Sequence, residues 1–183
     1  MDIREADNMV IGIIEAESID EYKSIRAYYD AAQKQIASTV DPIEAEYMLE
    51  ISSDTELNLK KYIQDKHSKI LFRVRKILGE NSYTRVFGNT YNFPKGEYRV
   101  FCYVYPDTIT DSTPVDYEFE VSLQAQAAIA YYAAAQCVVG ESDQRPYYAF
   151  MDRYNNILLN INDTKKDNVS LNIVKLGDGI NGI

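Results

Sequence analysis

Tryptophan is absent from this 183-residue chain, histidine occurs once, and only two cysteines are present. The single histidine, His67, falls on an apolar stripe, which favours a core or interface position over a general base. Cys102 and Cys137 have no partner cysteine at metal-ligand spacing, which predicts two buried thiols in a reducing compartment. The sequence therefore predicts no catalytic residue, no metal site and no cofactor, and the chain is not expected to be an enzyme.

Long apolar runs and an excess of basic charge are also missing. No run reaches the about 20 residues that a membrane-spanning helix needs, and the charged start MDIREADNMV does not resemble a signal peptide. Acidic residues outnumber basic ones by 28 to 19, for a net charge of −9. This balance disfavours broad binding to duplex DNA but suits a conduit through which DNA passes without adhering. The sequence predicts a cytoplasmic protein with no membrane partner.

Helical periodicity dominates the first half of the chain. Ile25, Tyr29 and Ile36 fall on one face of a predicted helix. Ser53 and Glu56 have the spacing of a capping box at the start of a longer predicted helix. The predicted segments are an N-terminal arm at 1–17 and helices at 18–38, 42–49 and 54–78.

An antiparallel β-region is predicted at 82–121, where aromatic and β-branched residues alternate with polar ones. Within it, the segment EYRVFCYVY is apolar on both faces. Such a strand has to be covered twice, by its own core and by another surface. We therefore predict that its aromatic side chains contact a neighbouring subunit or the next ring of a larger assembly. The predicted contact residues are Tyr98, Phe101, Tyr103 and Tyr105.

Two apolar stripes at helical spacing lie on either side of the polar turn GESDQRP and predict a helical hairpin at 122–161. Its many alanines allow close approach of the two helices. Residues 162–183 are polar and glycine-punctuated, and they predict an extended tail with one β-capable segment, VSLNIVKL. The predicted fold class is α+β but mainly α-helical: a helical bundle over 18–161 with a C-terminal αα-hairpin and an inserted antiparallel β-region.

The hairpin sequence SLQAQAAIAYYAAAQCVVGESDQRPYYAFMDRYNNILLNI resembles the head–tail connector (adaptor) proteins of tailed bacteriophages. In that family an alanine-rich helix reading roughly "aaiayYvAaql" precedes a polar turn containing aspartate. A second helix follows with the pattern "f..ry...l..l". The positions that match are Tyr131, Tyr132, Ala133, Ala134, Asp143, Tyr147, Phe150, Tyr154 and Leu158.

The resemblance implies a structural protein of the virion neck, assembled as a dodecameric ring beneath the portal protein. Such a ring carries the next neck or tail component and allows DNA to pass without sequence-specific binding. Because family members often grip the portal with a C-terminal arm, the resemblance also implies a docking tail. The implied portal-docking residues are Val169, Leu171, Ile173 and Leu176.

An alternative prediction from the same residues is a monomeric binding module. In that case Tyr98, Phe101, Tyr103 and Tyr105 would line one concave aromatic pocket for a peptide or a small ligand. Ligand-induced stabilisation of a monomer would favour the module, whereas assembly would favour the connector.

Overall fold

The computed structural model describes the backbone of residues 1–177 and the side chains of residues 1–163. The chain divides into two compact units, one formed by Met1–Ile36 with Ile109–Ile183 and the other by Ala37–Thr108. A short 3₁₀ turn, Ile19–Glu21, accompanies the regular elements. In chain order these are α1 (Ile3–Ile14), α2 (Ile25–Thr39), β1 (Ile43–Ile51), β2 (Thr55–Asn58), α3 (Leu59–His67), β3 (Leu71–Gly79), β4 (Thr84–Phe87), β5 (Thr90–Phe93), β6 (Gly96–Val104), α4 (Leu123–Val138) and α5 (Arg145–Gly177).

The first unit is built around α4, which is buried on nearly every side. Seven of its sixteen residues are alanine, and nine of the sixteen are buried. An apolar helix without a polar face belongs in the middle of a bundle, and small side chains let neighbouring helices approach it closely. Both α1 and α5 pack against α4. Its buried residues are Ala125, Gln126, Ala128, Ile129, Ala130, Ala133, Ala134, Ala135 and Val138.

The start of the chain is fixed by its own capping box and by the segment before α4. The amide of Glu5 donates to Asp2 Oδ1 over 2.8 Å, and the amide of Asp2 donates to Glu5 Oε2 over 3.1 Å. The amide of Ile3 donates to the carbonyl of Tyr117, and that of Phe119 donates to the carbonyl of Met1. The bonds from Ile3 and Glu5 satisfy amides that a helix start would otherwise leave unpaired.

The second unit contains two three-stranded antiparallel sheets, in the orders β1-β6-β3 and β2-β5-β4. Strand β6 is the centre of the first sheet, and its alternate residues point into the core. Helix α3 contributes Leu59 and Ile63 to the same core. The buried cluster consists of Leu49, Leu59, Ile63, Leu71, Ile77, Tyr91, Phe93, Tyr98, Val100, Cys102 and Val104.

The prediction of a mainly helical bundle is wrong, because the chain has an α+β fold with two sheets. The predicted helix 42–49 is strand β1, and the predicted helix 54–78 is β2, α3 and β3 in succession. The side chains of β1 alternate between exposed and half-buried or, at Leu49, buried, as expected for a strand with one covered face. The apparent stripe over 54–78 joins residues of separate elements. Helix α3 ends at His67 and is followed by Ser68, whose φ of 56° is left-handed.

Other predicted boundaries also differ from the structure. The arm at 1–17 is mostly helix α1, and the first predicted helix begins later, at Ile25. In the β-region, regular strands end at Val104, followed only by an isolated bridge between Asp2 and Glu118. The extended tail is wrong up to Gly177, because α5 continues to that residue, and 178–183 lie outside the described residues. Helices α4 and α5 occupy the segment for which a hairpin is predicted, and they pack together.

Replacing Gly79 by alanine is expected to destabilise the protein by about 1–3 kcal/mol. A Cβ at this position would lie 2.1 Å from Cδ1 of Tyr98, which is far inside van der Waals contact. The Tyr98 ring cannot easily move, since it is fully buried, packs on Phe93 and donates its hydroxyl to the Pro94 carbonyl over 2.9 Å. Urea denaturation followed by circular dichroism measures the change.

The matched control is Gly12→Ala in α1, where an added Cβ meets no atom within 4 Å. Alanine within a helix has lower conformational entropy to lose than glycine, so this variant is expected to gain about 0.5–1 kcal/mol. Equal effects of the two substitutions would contradict the close packing of Gly79 on Tyr98.

Candidate interaction surface

One face of the β1-β6-β3 sheet points away from the core, and we call it the open face. It carries rows of acidic, basic, aromatic and aliphatic side chains. Met48 is 51% exposed and Leu78 41% exposed, although both are large apolar side chains. A shallow depression of about 330 Å³ on the sheet is lined by Met48, Leu78 and Arg99, among other residues. The open face consists of Glu44, Glu46, Met48, Glu50, Arg73, Arg75, Lys76, Leu78, Glu97, Arg99, Phe101 and Tyr103.

Charged side chains lie beside the aromatic rings of the open face and pair with one another. Arg75 pairs with Glu44, and Arg99 Nε lies 2.9 Å from Glu46 Oε1. The guanidinium carbon of Arg73 lies 5.2 Å from the centroid of the Tyr103 ring, within cation–π range. Since these ion pairs are largely exposed, they contribute little to stability and can exchange partners at low cost.

The four aromatic residues predicted to make contacts do not share one site. Tyr98 is fully buried in the core, whereas Phe101 and Tyr103 lie half-buried on the open face. Tyr105 follows β6, with its ring centroid 5.2 Å from that of Phe72. The single concave pocket lined by all four residues, which the alternative prediction requires, is therefore not formed. Tyr98 is a core residue because strand alternation places it on the covered face.

A second exposed apolar feature is the tip of the β4–β5 hairpin. Phe87 is 85% exposed there, and the neighbouring Val86 is 51% exposed. The turn uses Gly88 at a φ of 56°, and Arg85 Nε donates to the Gly88 carbonyl over 2.8 Å. Phe87 is not among the predicted contact residues, although Gly88-Asn89 after it is a recognisable hairpin-turn signal.

The side chains best suited to nucleophilic or acid–base chemistry are His67, Cys102 and Cys137. His67 is exposed at the end of α3, with its ring centroid 4.4 Å from that of Tyr47, so the predicted core position is wrong and the interface position stays a prediction. Burial raises the pKa of the Cys102 thiol and of the Cys137 thiol to about 11, so both stay protonated near neutral pH. In the described part of the chain, no group of three or more His, Cys, Asp or Glu side chains could hold a metal ion.

The predicted portal-docking positions lie near the end of α5. The backbone there is helical, and the side chains of Val169, Leu171, Ile173 and Leu176 lie outside the described residues. Among the helices described, none combines the length and apolar character that a membrane crossing requires. No family model and no curated protein matches this sequence.

Proposed function

We propose that this chain is a structural virion protein that forms the head–tail connector ring of a tailed bacteriophage. The open face is the observation that carries the proposal. In a single copy it exposes Met48 and Leu78 beside arginine and half-buried aromatic side chains. Aromatic residues, Met and Arg are enriched where proteins contact one another, so the face suits burial in an assembly.

The residues that carry the resemblance to connector proteins build the helical hairpin itself. Tyr154 is buried, and its ring centroid lies 5.4 Å from that of Tyr132 on α4. Asp143 in the turn accepts from the amide and the guanidinium of Arg145. The buried Tyr154–Tyr132 contact gives the motif a structural role, which supports a scaffold better than a reaction site.

The C-terminal part of α5 is the proposed portal-docking arm. With 33 residues, α5 is about twice as long as its 16-residue partner α4. The positions proposed to dock are Val169, Leu171, Ile173 and Leu176. Because the backbone is helical through Gly177, the arm would lie as a helix in a groove of the portal rather than add a strand to a sheet.

The remaining parts of the proposal concern the ring and its channel. Twelve copies, as in the connector family, would stand beneath the portal in the virion neck and carry the next neck or tail component. The net charge of −9 would repel the phosphate backbone, so DNA would pass without sequence-specific binding.

The test is co-sedimentation and electron microscopy of the full chain mixed with the portal protein of the same phage. Rings bound to the portal are expected for the unmodified chain. The double variant V169D/I173D is expected to lose portal binding, while its control, N168D/N172D, adds the same charge and retains it. A chain that stays monomeric and never joins the portal would refute the connector function.

A further inference from the structure

The two edges of the β1-β6-β3 sheet carry opposite charges on the open face. The β1 edge presents three glutamates, Glu44, Glu46 and Glu50, and the β3 edge presents Arg73, Arg75 and Lys76. Both strands are outer strands of this sheet. Between residues 1 and 163, no backbone hydrogen bond joins either outer edge to another element.

The register through β6 brings complementary residues of the two edges to the same level. Glu44 and Arg73 both lie opposite Tyr103. Glu46 and Lys76 both lie opposite Phe101, and Met48 and Leu78 both lie opposite Arg99. Because β1 and β3 are each antiparallel to β6, they run parallel to one another. A second copy placed beside the first, in the same orientation, would therefore set these three pairs side by side.

We propose that β1 of one copy pairs in parallel with the β3 edge of the next copy, so that neighbouring sheets join across the interface. Glu44 would then face Arg73, Glu46 would face Lys76, and Met48 would contact Leu78. This inference rests on the proposed ring function and names its subunit contact. The contact joins two different edges, and such a head-to-tail contact, repeated, closes into a ring when the rotation allows.

Like charges exclude the other pairings of these edges. Two β1 edges would oppose glutamates, and two β3 edges would oppose arginine and lysine, which is destabilising in cross-strand positions. The existing ion pairs Arg75–Glu44 and Arg99–Glu46 are exposed and can rearrange when a neighbour arrives. Strand β3 has two register irregularities against β6, and its register is continuous from Lys76 to Gly79. The level pairs at Lys76 and Leu78 lie in this regular part.

Charge reversal on one edge at a time tests the contact. The variants E44K/E46K and R73E/K76E each make the two edges alike in charge. Each is expected to need at least about tenfold more protein than the unmodified chain to assemble, by sedimentation velocity. An equimolar mixture is expected to recover assembly, because the acidic edge of one variant complements the basic edge of the other. The control for E44K/E46K is E56K/D65K, and the control for R73E/K76E is K60E/K61E. Each control changes the net charge by the same amount as its variant, at positions in the same unit that lie outside the two edges.

The outcomes separate this inference from the proposed function. If the unmodified chain and both edge variants assemble equally, the edge contact is refuted and the ring stands. A mixture that does not recover also refutes the edge contact. If the unmodified chain assembles neither alone nor with the portal, the proposed function fails and the contact with it.

A disulfide provides an independent readout that captures weak assembly. In the variant E44C/R73C the two new cysteines are two strands apart within one copy, about 9–10 Å, too far for a disulfide. In neighbouring copies they would lie on adjacent strands, within reach. Mild oxidation is expected to give a ladder of covalent oligomers, whereas E44C or R73C alone should not. Absence of the ladder from assembled protein would overturn the proposed pairing.

Discussion

Replacing Asp7 by alanine is expected to lower the free energy of unfolding by about 3–5 kcal/mol. Asp7 on α1 accepts two hydrogen bonds from the Arg26 guanidinium, each 3.1 Å long, and one from the Tyr29 hydroxyl at 2.8 Å. The Asp7 and Arg26 side chains are only 13% and 15% exposed. Removing the carboxylate would leave a largely buried guanidinium without this counter-charge and a buried phenol without its acceptor.

The phenol in this network is held strongly in its neutral form. Burial, followed by the charge and the hydrogen bond of Asp7, raises the pKa of Tyr29 far above its usual range. The hydroxyl is therefore neutral near neutral pH and can donate to Asp7. Since Tyr29 also packs edge-on against Phe119, with ring centroids 5.7 Å apart, the network links α1, α2 and the segment before α4.

Chemical denaturation of matched variants measures the strength of the network. Asp143→Asn removes one charge of the Asp143–Arg145 pair, whose arginine is 91% exposed, and is expected to cause no resolvable change. The double variant D7L/R26M removes both charges and is expected to be more stable than Asp7→Ala. If Asp7→Ala were no more harmful than Asp143→Asn, the buried network would not be a stabilising feature.

Replacing Tyr98 by alanine is expected to lower the melting midpoint by roughly 10–15 °C. The side chain is fully buried, packs against Phe93 with ring centroids 4.8 Å apart, and donates to the Pro94 carbonyl. Its removal would leave a cavity in the core of the second unit. Tyr98→Phe loses only the hydroxyl and is expected to lower the midpoint by a few degrees, because only the hydrogen bond to the Pro94 carbonyl is lost. Thermal unfolding followed by circular dichroism gives both values.

Tyr103→Ala is the matched control, because Tyr103 lies on the opposite face of β6 from that core, half-buried beside Arg73. It is expected to shift the midpoint by no more than a few degrees, as surface substitutions usually do. The opposite ranking, with Tyr103→Ala more harmful than Tyr98→Ala, would show that the two faces of β6 are wrongly assigned.

The helical hairpin was predictable because its apolar residues repeat at helical spacing over long segments and are separated by a clear polar turn. Helix α1 also carried a readable signal: Asp2 and Glu5 have capping-box spacing, and both reciprocal hydrogen bonds form. The prediction of an arm at 1–17 rests on its apolar run, which is short enough for a strand.

Strands β1 and β3 were missed for two different physical reasons. In β1 the residues Ile43, Ala45, Tyr47 and Leu49 occupy every second position, which is a strand signal. The prediction of a helix instead rests on Pro42, because proline is favoured at the first position of a helix. In the next segment, Ile63 on α3 and Ile77 on β3 are both buried, but they belong to separate elements. Their spacing matches a helical repeat only by chance. Between them lies the left-handed Ser68, and serine at this position does not by itself indicate the end of a helix.

The open face could be predicted only in part. The alternation in EYRVFCYVY correctly indicates that Phe101 and Tyr103 lie on one face of β6 and that Val100 and Cys102 lie on the other. The prediction of Tyr98 as a contact residue is wrong, because Tyr98 lies two residues from Val100 and therefore on the same, buried face of β6. The matching of the two charged edges could not be predicted from the sequence, because Glu44 and Arg73 are aligned only by their common pairing with Tyr103 on β6.

Native mass spectrometry of the purified chain, alone and with portal protein, tests the central claim most directly. A connector subunit predicts a closed oligomer at a fixed multiple of 21.0 kDa, free or bound to the portal. A single species at 21.0 kDa under both conditions, with no complex at any concentration, would contradict the account.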